Sequence, residues 1–235
     1  MVVTCFGERC CSINETIRYH LEELAIARNP SDPRYAMPSF VGGERVVVDI
    51  GCGIGQTFVA AHPGPGTLPV GVDIDFESLV YGRRHYKGIF FVNATAENLP
   101  FKSGTVDLAF SRVSLPYTHI PRAAGEIGRV LRPGGRTWLV LHPPGMGLRH
   151  LGAALARGRV KESLYAMYVL INGAVFHCFG VLFHFPTRRR RMESFQTRGR
   201  TRRVLASIGF ENIGLGGGRE LVATATKRPG AGAGS

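Results

Sequence analysis

The chain has 235 residues, 44% of them hydrophobic, which is enough to bury one full α/β core, so one domain with an insertion is the simplest organisation. Its net charge of +12 and pI of about 10.1 favour an anionic partner (nucleic acid, a membrane surface or an acidic substrate), with a solvated basic face as the plainer alternative. An odd count of five cysteines (Cys5, Cys10, Cys11, Cys52 and Cys178) speaks against a disulfide framework, and the lack of a second CxxC or a His pair speaks against a zinc site.

At the N-terminus no charged leader precedes a long apolar run, so no signal peptide is expected. Residues 12–28 read as a helix, with Ser12 as N-cap and Glu15 completing a capping box. Ile13, Ile17, Leu21, Leu24 and Ile26 give it an apolar stripe, and Asn29-Pro30-Ser31-Asp32-Pro33 stops it. From Val46 strands and helices alternate, the sign of a parallel sheet covered on both faces. The pattern places strands at 45–50, 69–73, 89–92, 106–110 and 136–141, with helices at 56–61, 76–86 and 119–131 between them. A closing helix is expected at 197–208, then strands near 210–215 and 220–226 and a disordered tail from Pro229.

Residues 145–187 interrupt this alternation. Ser163 to Phe185 holds no Lys, Arg, Asp or Glu over 23 residues, long enough to cross a bilayer. Asn172, Gly173, His177, Gly180 and His184 dilute it, however, and a single crossing would put strand five and the closing helix on opposite sides of the membrane. Three readings stay open: a lid over a lipophilic substrate, a monotopic membrane contact, and a helical pair buried in the core or at a dimer interface. The four arginines from Arg188 to Arg191, followed by Arg198, Arg200, Arg202 and Arg203, suit an anionic lipid surface.

Val46-Val47-Val48-Asp49-Ile50-Gly51-Cys52-Gly53-Ile54-Gly55 is a β-branched strand, an acid and three glycines at alternate positions. Such a loop lets backbone approach a ligand and aims a helix N-terminus at it. Val70-Gly71-Val72-Asp73 is a second strand ending in an acid, 18 residues after Gly55, and Arg129-Val130-Leu131-Arg132-Pro133-Gly134-Gly135 precedes strand five. Together these segments resemble the class I S-adenosylmethionine (SAM)-dependent methyltransferases, closely over 42–141 and loosely over 194–227. The spacing GxGxG, not GxGxxG, and the RVLRPGG segment set the chain apart from dinucleotide dehydrogenases.

The resemblance implies a Rossmann-like, doubly wound α/β sheet of seven mostly parallel strands, with an antiparallel C-terminal hairpin and an apolar helical insertion before the last helix. It divides the chain into an N-terminal helical cap (1–41), a SAM-binding core (42–144), the insertion (145–193), the C-terminal part of the core (194–227) and a tail (228–235). It implies that Asp49 orients the loop of Gly51, Cys52, Gly53 and Gly55 and meets the methionine amino group. Cys52 supplies the small side chain the loop needs and acts in packing, not as a nucleophile. Asp73 would accept both ribose hydroxyls, and Ile74 would lie on the adenine face. In Asn93 to Phe101, Thr95 stands where the family commonly has the Asp that takes the adenine amine. A hydroxyl accepts that bond more weakly; Ala96 and Glu97 otherwise match the small-molecule branch, including the ubiquinone and menaquinone methyltransferases.

The donated methyl should point toward Ser111, Arg112 and Val113, beyond the end of strand four. Ser114-Leu115-Pro116-Tyr117 departs from the NPPY signature of amino-group methyltransferases at two of four positions and reads as a coincidental loop. A general base is needed only for an acceptor that must lose a proton; His119 and His142 are the candidates, and Tyr117 could orient an acceptor. The leading expectation is therefore a cytoplasmic SAM-dependent methyltransferase that O- or C-methylates a small lipophilic acceptor, with a peripheral membrane contact as a variant and no metal. An RNA or DNA methyltransferase using 188–203 is the alternative, although Phe195 is the lone aromatic there to stack on bases. A non-catalytic SAM-binding protein is a third reading.

Overall fold

A computed structural model describes residues 14–112, 114–186 and 191–230. Helix α1 (Glu15–Ala27) has its N-cap two residues later than the capping box predicts. Asn14 is its N-cap, accepting a bond from the Thr16 N–H at 3.0 Å; Ser12 and Ile13 lie outside the described residues, as do Cys5, Cys10, Cys11, Val113, Arg188 to Arg190 and the tail from 231. The alternating elements then follow as β1 (Val46–Ile50), α2 (Gln56–Ala61), β2 (Leu68–Asp73), α3 (Phe76–His85), β3 (Phe90–Asn93), β4 (Val106–Arg112), a 3-10 turn (Leu115–Tyr117), α4 (Ile120–Val130) and β5 (Leu131–Leu141). The helical pair α5 (Pro144–Ala156) and α6 (Val160–Phe179) comes next, and α7 (Arg198–Ser207), β6 (Phe210–Gly216) and β7 (Leu221–Lys227) close the chain.

The seven strands lie in the order β3-β2-β1-β4-β5-β7-β6. The first five are parallel, and β7 runs antiparallel to both β5 and β6. Side chains alternate between faces as a period of two requires. Val48 and Ile50 join the cluster under α4, which includes Ala123, Ile127 and Val130, whereas Val47 joins Phe58, Leu108 and Phe110 on the other face. Both faces are thus covered, which is why β1 and β4 read as nearly continuous apolar runs. The strand order reverses between β2-β1 and β4, and the crevice beyond those carboxyl ends is where ligands bind in open α/β sheets.

One boundary differs from expectation. The strand expected at 136–141 begins at Leu131, opposite Val106, and slips register before Arg136 pairs with Leu108. The Arg132-Pro133-Gly134-Gly135 stretch is thus a bulge within β5 and not a turn ahead of it. Gly134 has φ +75°, and a Cβ on Gly135 would lie 2.8 Å from the Arg132 carbonyl oxygen and 3.1 Å from that of Val106. The charges of the segment act as ties. Arg129 donates to the Phe101 and Leu99 carbonyls at 2.7 and 2.8 Å, holding the 99–101 loop, and Arg132 pairs with Asp107, which also accepts the Arg45 and Val46 N–H groups.

The insertion forms the helical pair. The apolar run does not continue as one helix through 185: α6 stops at Gly180, which has φ +77°, and the chain doubles back beside it. The polar and small residues that dilute the run are the points where that returning segment docks. Buried Asn172 accepts from the Phe183 N–H at 3.0 Å and donates to the Glu193 carbonyl at 2.8 Å and to the Tyr168 hydroxyl at 3.2 Å. A Cβ on Gly173 would meet the Phe195 ring at 2.3 Å, and His177 bonds the Thr197 hydroxyl at 2.8 Å. Among the described residues no helix is long and apolar enough to cross a membrane.

Candidate active site

The glycine loop leaves β1 and folds back over the tip of β2. Gly51 and Cys52 donate to the Val72 carbonyl at 2.8 and 3.0 Å, and the Gly53 N–H donates to Asp73 Oδ2 at 2.7 Å. Gly51 and Gly53 have φ +77° and +53°, a region that favours glycine. Space excludes other residues as well: a Cβ on Gly51 would overlap the Ser114 side chain at 2.1 Å, and one on Gly53 the His20 ring at 2.3 Å. The Cys52 Sγ packs against Gly71, and burial pushes its thiol well above the usual range, in keeping with a packing role.

Gly51, Asp73, Ile74, Thr95, Ala96 and Glu97 converge on one cleft of about 280 Å³, completed by Ser114, Tyr117 and Thr118. Asp73 also accepts from the Asp75 N–H at 2.8 Å, so each of its oxygens keeps one lone pair for a hydroxyl donor. Ile74 is 73% exposed, a large apolar surface at the cleft margin. Asp49 lies beneath the loop, 1% exposed, and among the described residues no donor bonds either carboxylate oxygen. Burial pushes its pKa up to about 8; Arg112 and the neighbouring Thr57 hydroxyl oppose the shift and the Asp73 charge adds to it. A buried acid without a donor, beside a loop stripped of side chains, fits a ligand that brings a cation.

Of the other expected contacts, Cys52, Gly53, Gly55, Ser111 and Arg112 do not line the cleft. The Ser111 hydroxyl shares a 2.7 Å hydrogen bond with that of Ser114, which also donates to the Ile50 carbonyl at 2.7 Å. The Arg112 guanidinium turns toward α1, pairing with the Glu23 carboxylate and donating to the Glu23 carbonyl at 3.2 Å. Both side chains therefore brace the loop and its covering helix. That helix contributes His20, which sits over Gly53 and approaches Gln56 at 3.4 Å. His20 was invisible in the sequence because its contact is to a loop more than 30 positions away.

Two larger cavities adjoin the cleft in turn. The middle one, about 760 Å³, shares Glu97, Tyr117 and Thr118 with it. His119 lies there as the N-cap of α4, its backbone N–H donating to Glu97 at 2.8 Å and its Nδ1 buried without a partner. The distal cavity, about 710 Å³, lies against α5 and α6 and shares Tyr165, Arg191 and Glu193 with the middle one. His142, at the tip of β5, lines its inner end. The ring is 2% exposed, packs edge-on against Tyr117 with centroids 5.4 Å apart, and places Nδ1 3.4 Å from Glu193. Burial, with the Glu193 charge beside it, pushes the Tyr165 phenol upward.

Glu193 is the functional candidate the sequence reading missed. It is the lone acid between Arg188 and Arg203, and that isolation was the available signal. It arrives by a strap, 192–197, laced to the strand tips: Ser194 N–H donates to the Pro116 carbonyl at 3.1 Å and Gln196 N–H to the His142 carbonyl at 2.7 Å.

Comparison with known proteins agrees with this geometry. Residues 48–139 match the family described as "Methyltransferase domain". A malonyl-[acyl-carrier protein] O-methyltransferase of Pectobacterium atrosepticum is 33% identical over 100 residues, covering 42% of this chain and 38% of that protein. A probable phthiotriol/phenolphthiotriol dimycocerosates methyltransferase of Mycobacterium ulcerans is 32% identical over 164 residues, covering 68% and 61%. A SAM-dependent methyltransferase of Thermotoga maritima, described as a possible histamine N-methyltransferase, superposes with a TM-score of 0.58 at 20% identity, over 92% of this chain and 96% of that one. The core is a class I SAM-dependent methyltransferase domain. The matched stretch spans less than two thirds of these relatives' own length, 38% and 61%, and the family match ends at residue 139, ahead of α5. Among the described residues, no cluster of His, Cys, Asp or Glu could hold a metal ion beside this domain's cleft.

Proposed function

We propose that the chain transfers the methyl group of SAM to oxygen or carbon of a small lipophilic acceptor. The observation that supports this most is the succession of three adjoining cavities that share lining residues, from the cleft at the glycine loop to the largely apolar space against α5 and α6. In this reading Asp49 meets the cofactor's amino group through the loop of Gly51, Gly53 and Gly55. Asp73 takes the ribose hydroxyls, Ile74 covers the adenine, and Thr95, Ala96 and Glu97 border it. SAM supplies a methyl carbon already activated by the sulfonium, so the protein's part is proximity and alignment.

For an acceptor that must lose a proton, His142 is the favoured base. Glu193 lies 3.4 Å from Nδ1, and Nε2 is buried without a partner, so the wall around the ring must yield for an acceptor to reach it. Tyr117 stands between this ring and the cofactor cleft and orients the acceptor, and His119 is the second candidate base. The exposed stripe Val160, Leu164, Met167 and Ile171 along α6 supports a peripheral membrane contact through which such an acceptor would arrive. The nucleic-acid alternative has the exposed Arg198, Arg202 and Arg203 of α7 in its favour.

Incubation with methyl-labelled SAM and, in parallel, lipid extract and total RNA decides between them. Label in the lipid fraction is the expected result. Label in RNA would move the acceptor site to the arginines, and no label in either would leave a SAM-binding protein without transfer to these classes.

A further inference from the structure

The distal cavity has two unlike ends. Its inner end holds buried His142 and Glu193 beneath the strand tips. Its outer end holds Arg157 and Lys161, both exposed, on either side of the turn that joins α5 to α6. Apolar side chains, among them Met146, Val169 and Phe195, line the space between. The two acids of the lining are already engaged: Glu162 accepts from Arg159 at 3.0 and 3.2 Å, and Glu193 faces His142 at 3.4 Å. No ion pair among the described residues involves Arg157, Lys161 or Arg191, the three cations of the lining. The cavity thus offers uncompensated positive charge at its mouth, an apolar wall behind it, and at Tyr165 a wall shared with the middle cavity that Tyr117 also lines.

We propose that this cavity binds an elongated amphiphile with an anionic end group, a carboxylate or a phosphate. The anion is held at the mouth by Arg157 and Lys161, the apolar run lies along the α5–α6 wall, and the other end reaches toward the cofactor cleft. The assignment of that inner end as the methylated one rests on the function proposed above; the anionic anchor itself does not. A neutral long-chain molecule would gain the apolar contacts but leave the mouth unmatched, and a cationic one would be repelled there. Two or three partly exposed charge pairs acting together amount to a preference of about tenfold, and one that salt screens.

Decanoate, decyl phosphate and decanol, each below its aggregation limit, are titrated calorimetrically into the full chain and into the Arg157→Ala/Lys161→Ala variant. SAM is titrated separately into both proteins. The expected result is that an anion binds about tenfold more tightly than decanol, that salt erodes the difference, and that the variant abolishes it with unchanged SAM affinity and melting temperature. The better of the two anions identifies the end group. Equal binding of decanol and the anions, no binding of any of the three, or an anion preference that survives in the variant would overturn the proposal. Failure of the intact chain to bind SAM would count against the cofactor reading alone, because the alkyl titrations remain interpretable without it.

Discussion

Asp49→Asn separates what the buried acid costs the fold from what it contributes to the cofactor. The asparagine fills nearly the same volume and cannot ionise. In the native chain the Asp49 carboxyl is pushed up to about 8 from an ordinary 3.8, chiefly by burial. Between those values the unfolded chain sheds this proton and the folded chain keeps it, so stability falls as pH rises and levels off above about 8. Each pKa unit is worth about 1.4 kcal/mol, so the three units between pH 5 and 8 amount to about 4 kcal/mol. That corresponds to roughly 10 °C of melting temperature in a domain of this size. The variant should lack this slope, and the difference between the two melting curves across pH 5–8 isolates it. Cofactor binding should carry the opposite dependence. A cationic amino group needs the ionised acid, so SAM binding releases a proton below pH 8 and weakens by about 1.6 kcal/mol, or about fifteenfold, between pH 8 and 6.5. Calorimetry in buffers of differing ionisation enthalpy reads the proton directly. Parallel melting curves for the two proteins, or SAM affinity untouched by Asp49→Asn, would refute the assignment.

Two further outcomes are expected. Asp73→Ala removes the ribose acceptor and should weaken SAM by about 2–4 kcal/mol, the worth of two charge-assisted bonds, as read by titration; unaltered affinity would remove Asp73 from the site. Asn172→Ala leaves the Glu193 carbonyl without its partner in a buried setting and removes the acceptor of the partly buried Phe183 N–H, at a cost of about 1–3 kcal/mol. It should quicken hydrogen exchange at Phe183 and expose the 181–197 segment to proteolysis, and protection equal to that of the intact chain would show that the lacing lies elsewhere.

What the sequence discloses follows how local each cause is. β1 and β4 are marked by nearly unbroken apolar runs because both their faces are buried, and β2 and the edge strand β3 by shorter apolar runs ending in Asp73 and Asn93. The glycine loop is equally legible, because backbone at positive φ leaves a glycine wherever it occurs. β5 is misplaced by five residues at its start because Pro133-Gly134-Gly135 has the composition of a turn, and only its neighbours Val106 and Asp107 show that it is a bulge inside a strand. Arg112 reads as a site residue by its position at a strand end, yet its charge is answered by Glu23, 89 positions earlier. Asn172, Gly173 and His177 look like blemishes in an apolar run until the strap that docks on them is in place. Glu193 is the extreme case, since its meaning depends on a ring 51 residues upstream that no local pattern connects to it.

The strap has a consequence for how such a fold can change. The chain leaves the sheet at His142 and returns at Gln196, and these two residues hold each other: Gln196 N–H bonds the His142 carbonyl at 2.7 Å, and the Gln196 side chain accepts the His142 N–H at 3.1 Å. The base of the insertion is therefore stapled shut whatever lies between. Lengthening a loop whose ends are already fixed costs only slowly growing entropy. The α5–α6 pair can thus be read as an exchangeable cassette, replaceable by helices of another size or polarity without a change in the sheet, the glycine loop or the cofactor cleft. Acceptor choice and methyl chemistry would then diverge independently, one written between the two ends of the staple and the other outside it.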